Sequence, residues 1–317
     1  MRLVSFELAG FESIGVVRGD SVVDIRRVWP AGPEDMLEAL WLGDACLRKI
    51  EAIAAAAGPE DQVALSAVRP RAPVPRPGKV LALAGNYAEH IKEAAHERGF
   101  ALGLSDSPRR ETTPRPFLMP GTAVIGDGDE IPLPAYSRQV DYELELAVVM
   151  GRRCKCVEAA EAAAYIAGYT VANDVSARGV TYKAGRKERP WDEFYDWLNG
   201  KWADGFCPMG PVLVTADEVA DVRALGMELR VNGQVRQKAD TGRMIYDVAE
   251  IVAFLSRLMT LEPGDVICTG TPSGVGVATG RFLQPGDVIE AEIDGIGTLT
   301  NRVGPAPDEY YEPLASR

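Results

Sequence analysis

The sequence predicts an α+β protein, with a small N-terminal domain over residues 1–72 and a larger strand-rich domain over 73–317. Three observations lead to this reading. The first 30 residues alternate apolar and polar positions between glycines, as short antiparallel strands do. A helical period follows over residues 34–57. From Ile131 onward short apolar runs separated by Gly-Asp turns dominate, with few helical windows.

In chain order, RLVSFEL and SVVDIRRV are expected as strands, with Gly10, Gly15 and Gly19 as breakers. EDMLEALWLGDACLRKIEAIAAAA reads as one helix stopped by Gly58-Pro59. RPRAPVPRPGK (69–79) is too rich in proline for a regular helix and is the candidate linker. KVLALAG is a strand running into a helix, NYAEHIKEAAHERG, with Asn86 as its cap and Gly99 as its end. Residues 100–116 read as a polar loop. VDYELELAVVMG is expected as one strand, EAAEAAAYIAG as a helix closed by Gly168, and YTVANDVS as another strand. A polar insert from Gly179 to Gly205 carries Trp191, Phe194, Tyr195, Trp197 and Trp202. EPGDVI, QPGDVIEAEI and GIGTL are short strands, with PGD as a turn signal.

Composition narrows the function. No run approaches the roughly 18 apolar residues of a membrane span, and Glu7 and Glu12 interrupt the N-terminus before a signal peptide forms. A cytosolic location is expected. The net charge of -12 repels a phosphate backbone, so nucleic acid is not an expected partner. It also repels an acidic substrate at long range, which calls for a local positive charge such as a metal. The five cysteines are odd in number and scattered, with only His90 and His96 to activate one. They are expected as reduced thiols.

The chemistry concentrates in Asp141-Tyr142-Glu143-Leu144-Glu145-Leu146. Strand alternation puts Asp141, Glu143 and Glu145 on one face. The apolar continuation AVVM argues that the strand is central, where neighbouring carboxylates repel and lose solvation. A divalent cation with oxygen preference relieves both effects. A solvated strand face is the alternative that this segment alone leaves open. Asp174 follows an apolar run, where a strand end would place it, although an Asx-turn or cap uses aspartate equally well. His90 and Glu93 share a helix face, suiting a carboxylate that holds an imidazole as general base. His96, three residues past Glu93, leaves that pairing ambiguous. ICTGTPSGVG places Gly270, Thr271, Gly274 and Gly276 after a strand, so backbone N–H groups there can approach a carboxylate closely. The loop lacks a GK[ST] ending, which argues against nucleotide binding.

Seven segments in order, GNYAEH, DYELELAVVMGR, GYTVANDVSAR, GKWADGFCPMGPVLVT, VNGQVRQ, LEPGDVICTGTPSGVG and LQPGDVIEAEIDGIGTLTN, resemble the fumarylacetoacetate hydrolase family over roughly residues 78–303. The resemblance implies a catalytic domain on a rolled mixed β-sheet behind a small N-terminal domain, a homodimer, and a Mg²⁺ or Mn²⁺ site. It maps the metal ligands onto Glu143, Glu145 and Asp174, and the lid dyad onto His90 and Glu93. It maps the family's lysine onto Lys201, and substrate contacts onto Arg178, Gly270, Thr271 and Tyr87. Two places depart from the pattern. SARD-x-Q reads SARGVT here, with Gly179 and Thr181, and FLKP reads FLMP, with Met119. Both fall where a substrate tail is expected, as do Lys183, Arg186, Lys187 and the aromatics of the insert.

The implied reaction is cleavage of the C3–C4 bond of a 2,4-dioxo acid to pyruvate and a carboxylic acid. His90, oriented by Glu93, would activate water, and Lys201 would help hold the developing enolate charge. A decarboxylase acting on an oxaloacetate-like acid, an isomerase or a hydratase would use the same site. A binding protein without chemistry would have little use for both His90 and Glu93.

Overall fold

The computed structural model describes residues 1–94, 112–180, 186–187 and 189–311. His96, Gly99, Thr181 and Lys183 lie outside them, as do most of the expected loop over 100–116 and the last residues, 95–99, of the helix expected after Asn86. The described residues form an α+β fold in which sheets dominate and helices are few.

The large sheet runs, in spatial order, through Gln62–Ala64, Ser21–Asp24, Phe11–Arg18, Arg2–Leu8, Cys207–Thr215, Ile166–Asn173, Leu144–Met150, Val266–Cys268, Val80–Leu83 and Pro116–Met119. It is mixed: Val266–Cys268 pairs parallel with Val80–Leu83, while Leu144–Met150 pairs antiparallel with both of its neighbours. A second sheet orders Gln234–Asp240, Gly226–Val231, Val288–Ile293, Gly297–Val303 and Glu130–Ile131. A two-stranded ribbon pairs Gln139–Asp141 with Ser176–Arg178.

The N-terminal strands join the large sheet through Arg2–Leu8, which pairs with Cys207–Thr215. The Pro-rich connection is tied down as well. Arg69–Pro70 pairs with Arg2–Leu8, Arg71 N–H donates to Ser5 O at 2.8 Å, and Ser5 Oγ donates to Pro73 O at 2.8 Å.

Four local expectations are corrected. The helix expected over 34–57 is two helices, Met36–Trp41 and Asp44–Ala56, because Gly43 at φ +72° turns the chain between them. The second buries Cys46, Ile50 and Ala54, four residues apart, against the N-terminal strands. The helix expected over 158–168 is a 3-10 segment, Ala159–Tyr165, followed at once by the strand Ile166–Asn173. Gly168 therefore does not end a helix: it sits in that strand, where a Cβ would stand 2.1 Å from Val214 O, so the close strand approach requires glycine. Asn86 does not cap the helix Ala88–Ala94. Its side chain donates to Thr269 O at 2.7 Å and Tyr246 O at 3.0 Å and accepts from Tyr246 N–H at 2.9 Å.

The fourth correction shapes the site. VDYELELAVVMG is not one strand: Gln139–Asp141 belongs to the ribbon and Leu144–Met150 to the large sheet. Between them side chains replace ladder partners. Tyr142 N–H donates to Asp141 Oδ1, Glu143 N–H to Asn173 Oδ1 and Leu144 N–H to Gln237 Oε1, at 2.8–2.9 Å. Beyond the break every residue from Leu144 to Met150 is buried, so a solvated strand face is excluded. Leu144, Leu146 and Val148 enter one core and Ala147 and Val149 the other.

Both PGD segments form turns. Glu262 N–H donates to Asp265 Oδ2 at 2.7 Å and Gln284 N–H to Asp287 Oδ2 at 2.8 Å, with Gly264 and Gly286 at positive φ. All five cysteines are free thiols. No helix of the described residues is long and apolar enough to cross a membrane.

Candidate metal centre

Glu143 leaves the strand break, Glu145 lies on Leu144–Met150, and Asp174 directly follows Ile166–Asn173. Antiparallel pairing of Leu144 with Asn173 brings these acids to one place, and Asp174 N–H donates to Glu143 O at 2.9 Å. One carboxylate oxygen from each lies within 4.8 Å of the others, and all three residues are buried.

Two cations share this cluster. Lys201, only 2% exposed, donates at 2.7 Å to both Glu143 Oε2 and Asp174 Oδ2. Arg178 reaches Asp141 Oδ2 at 3.2 Å through Nε and Glu143 Oε1 through Nη2. Asp141 itself is held by Gly276 N–H at 2.5 Å and Val277 N–H at 2.9 Å. It thus acts as an anchor between the ribbon and the loop after Val266–Cys268, and Arg178 links it to the triad.

The acids titrate apart. Burial pushes Asp174 up to about 6 in spite of Lys201. Burial, with Asp174 nearby, raises Glu145 well above its ordinary value. Glu143 goes the other way: Lys201 and Arg178 outweigh its burial and bring it down to about 2. Burial opposes the charge on Lys201, but Asp174 and Glu143 hold the ammonium protonated above its usual value.

The donor set fits a hard divalent cation. It offers carboxylate oxygens only, and Asp174 Oδ1 is buried without a hydrogen-bond partner. An orphaned anionic oxygen beside two further carboxylates is the group that Mg²⁺ or Mn²⁺ would satisfy.

His90 and Glu93 also meet. His90 Nδ1 lies 3.3 Å from Glu93 Oε1, and His90 is 2% exposed. Glu93 is fixed from its other side by Gly274 N–H, at 2.8 and 2.9 Å to its two oxygens. Gly274 takes φ +105°, and a Cβ there would stand 2.1 Å from Arg236 O. The loop after Val266–Cys268 touches both groups: Gly274 N–H holds Glu93, and Gly270 N–H holds Glu145.

The expected substrate contacts are placed unevenly. Gly270 N–H donates to Glu145 Oε2 at 2.6 Å and so supports an acid of the triad. Thr271 Oγ1 accepts from Gln237 Nε2 at 2.8 Å. Tyr87 is fully buried, and its hydroxyl donates to Met227 Sδ at 3.3 Å, so it packs in the core instead of offering itself to a ligand. Met119 is likewise core, 4% exposed, and not open to a tail. Sequence reasoning gave no role to Gln237, which also donates to Pro272 O and joins the acidic strand to the Thr271 loop. Its strand is largely polar and half-open, so periodicity offered no signal for it.

The family described as "Fumarylacetoacetate (FAA) hydrolase C-terminal" matches residues 79–304. The chain belongs to the fumarylacetoacetate hydrolase family. The relative named oxaloacetate tautomerase FAHD2A, mitochondrial, of Bos taurus is 39% identical over 315 residues, covering 96% of this chain and 91% of the relative. Among solved structures, fumarylacetoacetate hydrolase from Exiguobacterium antarcticum aligns with a TM-score of 0.77 at 33% identity, over 96% of this chain and 100% of that one. Maleylpyruvate hydrolase from Sphingobium sp. SYK-6, in complex with manganese(II) and pyruvate, aligns with a TM-score of 0.76 at 32% identity, over 97% and 100%. These relatives thus include proteins named as hydrolases and one named as a tautomerase.

Proposed function

We propose that this protein is a metal-dependent hydrolase that cleaves the C3–C4 bond of a 2,4-dioxo acid. The observation that carries the reading is the buried triad with its unpartnered Asp174 Oδ1, set beside a His–Glu dyad held by Gly274. Glu143, Glu145 and Asp174 would hold Mg²⁺ or Mn²⁺. Such an ion supplies a Lewis acid and a template for the adjacent carboxylate and 2-oxo oxygens of the substrate.

The chain's own residues do the rest. Gly274 fixes Glu93, and Glu93 sets the ring of His90 through Nδ1; the imidazole would take a proton from water. The hydroxide adds to the 4-oxo carbon. The C3–C4 bond breaks as that carbon becomes a carboxylic acid, and its electron pair passes into an enolate of pyruvate. Lys201, held protonated by its two acids, offsets the enolate charge. The proton taken by His90 returns to C3, so water is consumed and pyruvate and an acid leave.

The name of the Bos taurus relative favours a second reading, keto–enol isomerisation of oxaloacetate. His90 would then move a proton between C3 and the 2-oxo oxygen, with no attacking water. Incubation of the Mn²⁺-loaded protein with an acylpyruvate in H₂¹⁸O separates the readings. Hydrolysis places one ¹⁸O in the released acid, whereas isomerisation releases no acid. His90→Gln should lower the hydrolytic rate by about 10²–10⁴-fold, and a variant of wild-type activity removes the histidine from the mechanism. We further propose a homodimer, a cytosolic location, and residues 1–72 as the smaller domain.

A further inference from the structure

We propose that Phe117 and Trp197 form the wall that receives the substrate's tail, and that this wall selects a flat, uncharged acyl group, aromatic or conjugated. The inference rests on the 2,4-dioxo acid reading above and names its substrate class.

Phe117 comes from the strand Pro116–Met119 and Trp197 from the helix Asp192–Asn199. Their rings meet edge to face, with centroids 5.1 Å apart at 73°, and Phe194 extends the surface at 6.0 Å from Trp197. Lys201 Nζ lies 5.5 Å from the Phe117 ring and 5.8 Å from the Trp197 ring. The same ammonium touches Glu143 and Asp174, so the aromatic surface begins where the acidic cluster ends. Both rings are half-buried although the lysine beside them is closed off, which leaves ring surface to meet a ligand.

The wall is also held in place. Trp202 Nε1 donates to Leu118 O at 2.9 Å, joining the helix's C-terminal end to Phe117's strand. Arg186 donates to both oxygens of Asp196, at 2.8 and 2.5 Å, and Arg189 pairs with Asp192 at 3.1 Å. Arg186, the less exposed of the two, is thus engaged in positioning the helix, and Arg189 pairs with the helix start from the surface. Aromatic rings stack favourably on flat apolar groups, whereas a carboxylate loses hydration against them.

The test compares head and tail. Wild type, Phe117→Ala, Trp197→Ala and Trp197→Phe, each loaded with Mn²⁺, are titrated with oxalate, which presents a head group alone. Their kcat/KM is then measured on 2,4-dioxobutanoates bearing a 4-phenyl or a 4-carboxyl group. The proposal expects wild type to favour the phenyl acid at least tenfold. It expects both alanine variants to lose tenfold or more on that acid with oxalate affinity kept within twofold, and Trp197→Phe to retain most of the activity. A wild-type preference for the carboxyl-bearing acid overturns the wall's role, as do alanine variants that keep phenyl selectivity or lose oxalate in parallel. Failure of wild type to bind oxalate overturns the metal-site reading and the inference with it, and so is distinct from a lost tail preference.

Discussion

Lys201 donates to Asp174 Oδ2 at 2.7 Å, while the other oxygen of the same carboxylate, Oδ1, is buried with no partner. One side of Asp174 is thus neutralised by the protein and the other is open to an external cation. The ammonium makes the cluster tolerable without metal and leaves it incomplete.

Removing that ammonium should expose the repulsion it screens. Lys201→Met leaves Glu143 and Asp174 buried without their shared cation, which is expected to cost about 3–5 kcal/mol of stability. Mn²⁺ should recover more of this loss than it adds to wild type, because it replaces the missing charge. Thermal unfolding of both proteins with EDTA and with Mn²⁺ measures the difference. Equal metal-induced shifts would argue against Lys201 sharing these acids with the cation.

The pH dependence of the metal-free protein has a definite sign. Asp174, pushed up to about 6, and Glu145, raised well above its ordinary value, bind protons more tightly folded than unfolded. Their contribution to stability therefore falls as pH rises from the unfolded carboxylate range through about 6. Glu143, at about 2, contributes stability that is present above its unfolded value and lost only in stronger acid. Between pH 5 and 7 the first effect dominates. Metal-free wild type should lose thermal stability across that window relative to Asp174→Asn, and saturating Mn²⁺ should flatten the difference. A parallel pH profile for the two proteins would contradict this.

Gly274→Ala should damage the dyad from a distance. The residue sits at φ +105°, and a Cβ would press on Arg236 O, so the loop must move and release Glu93. The expected loss is about 2 kcal/mol or more from backbone strain. Turnover should fall more steeply than Mn²⁺ affinity, because Glu93 is held by Gly274 itself whereas this loop braces only Glu145 of the triad, through Gly270. Kinetics and metal titration on one preparation separate the two effects.

Gln237 should behave as a positioning residue. Gln237→Leu strands the buried Leu144 N–H and releases Thr271, costing about 1–3 kcal/mol for the unsatisfied group. KM for the 2-oxo acid is expected to rise, while Gln237→Glu, which keeps an acceptor for Leu144, should recover part of the stability. A silent Gln237→Leu would remove the link between the acidic strand and its loop.

Much of this was legible in the sequence, residue by residue. Alternation alone put Glu143 and Glu145 on one face, and the apolar run before Asp174 put it at a strand end. Glu93 and His90 lie one helical turn apart, as the local pattern required. The break after Asp141 was not legible, because the acceptors that replace the ladder there are Asn173 and Gln237, 30 and 93 residues away. Asn86 looked like a cap because capping is a local habit, but its real partners lie 160 and 183 residues on. Gly168 resembled a helix stop, since a sequence carries no sign of the neighbouring strand that forbids a side chain. Tyr87 and Met119 show the same limit: family position placed them near substrate, and packing placed them in the core.

The central claim is that Glu143, Glu145 and Asp174 hold a divalent cation, and calorimetric titration of the EDTA-treated protein with Mn²⁺ tests it most directly. Wild type should bind one ion per chain, with Glu145→Gln and Asp174→Asn weakened by more than about 100-fold. Folded variants that bind Mn²⁺ as tightly as wild type, or a wild type that binds none, would contradict it.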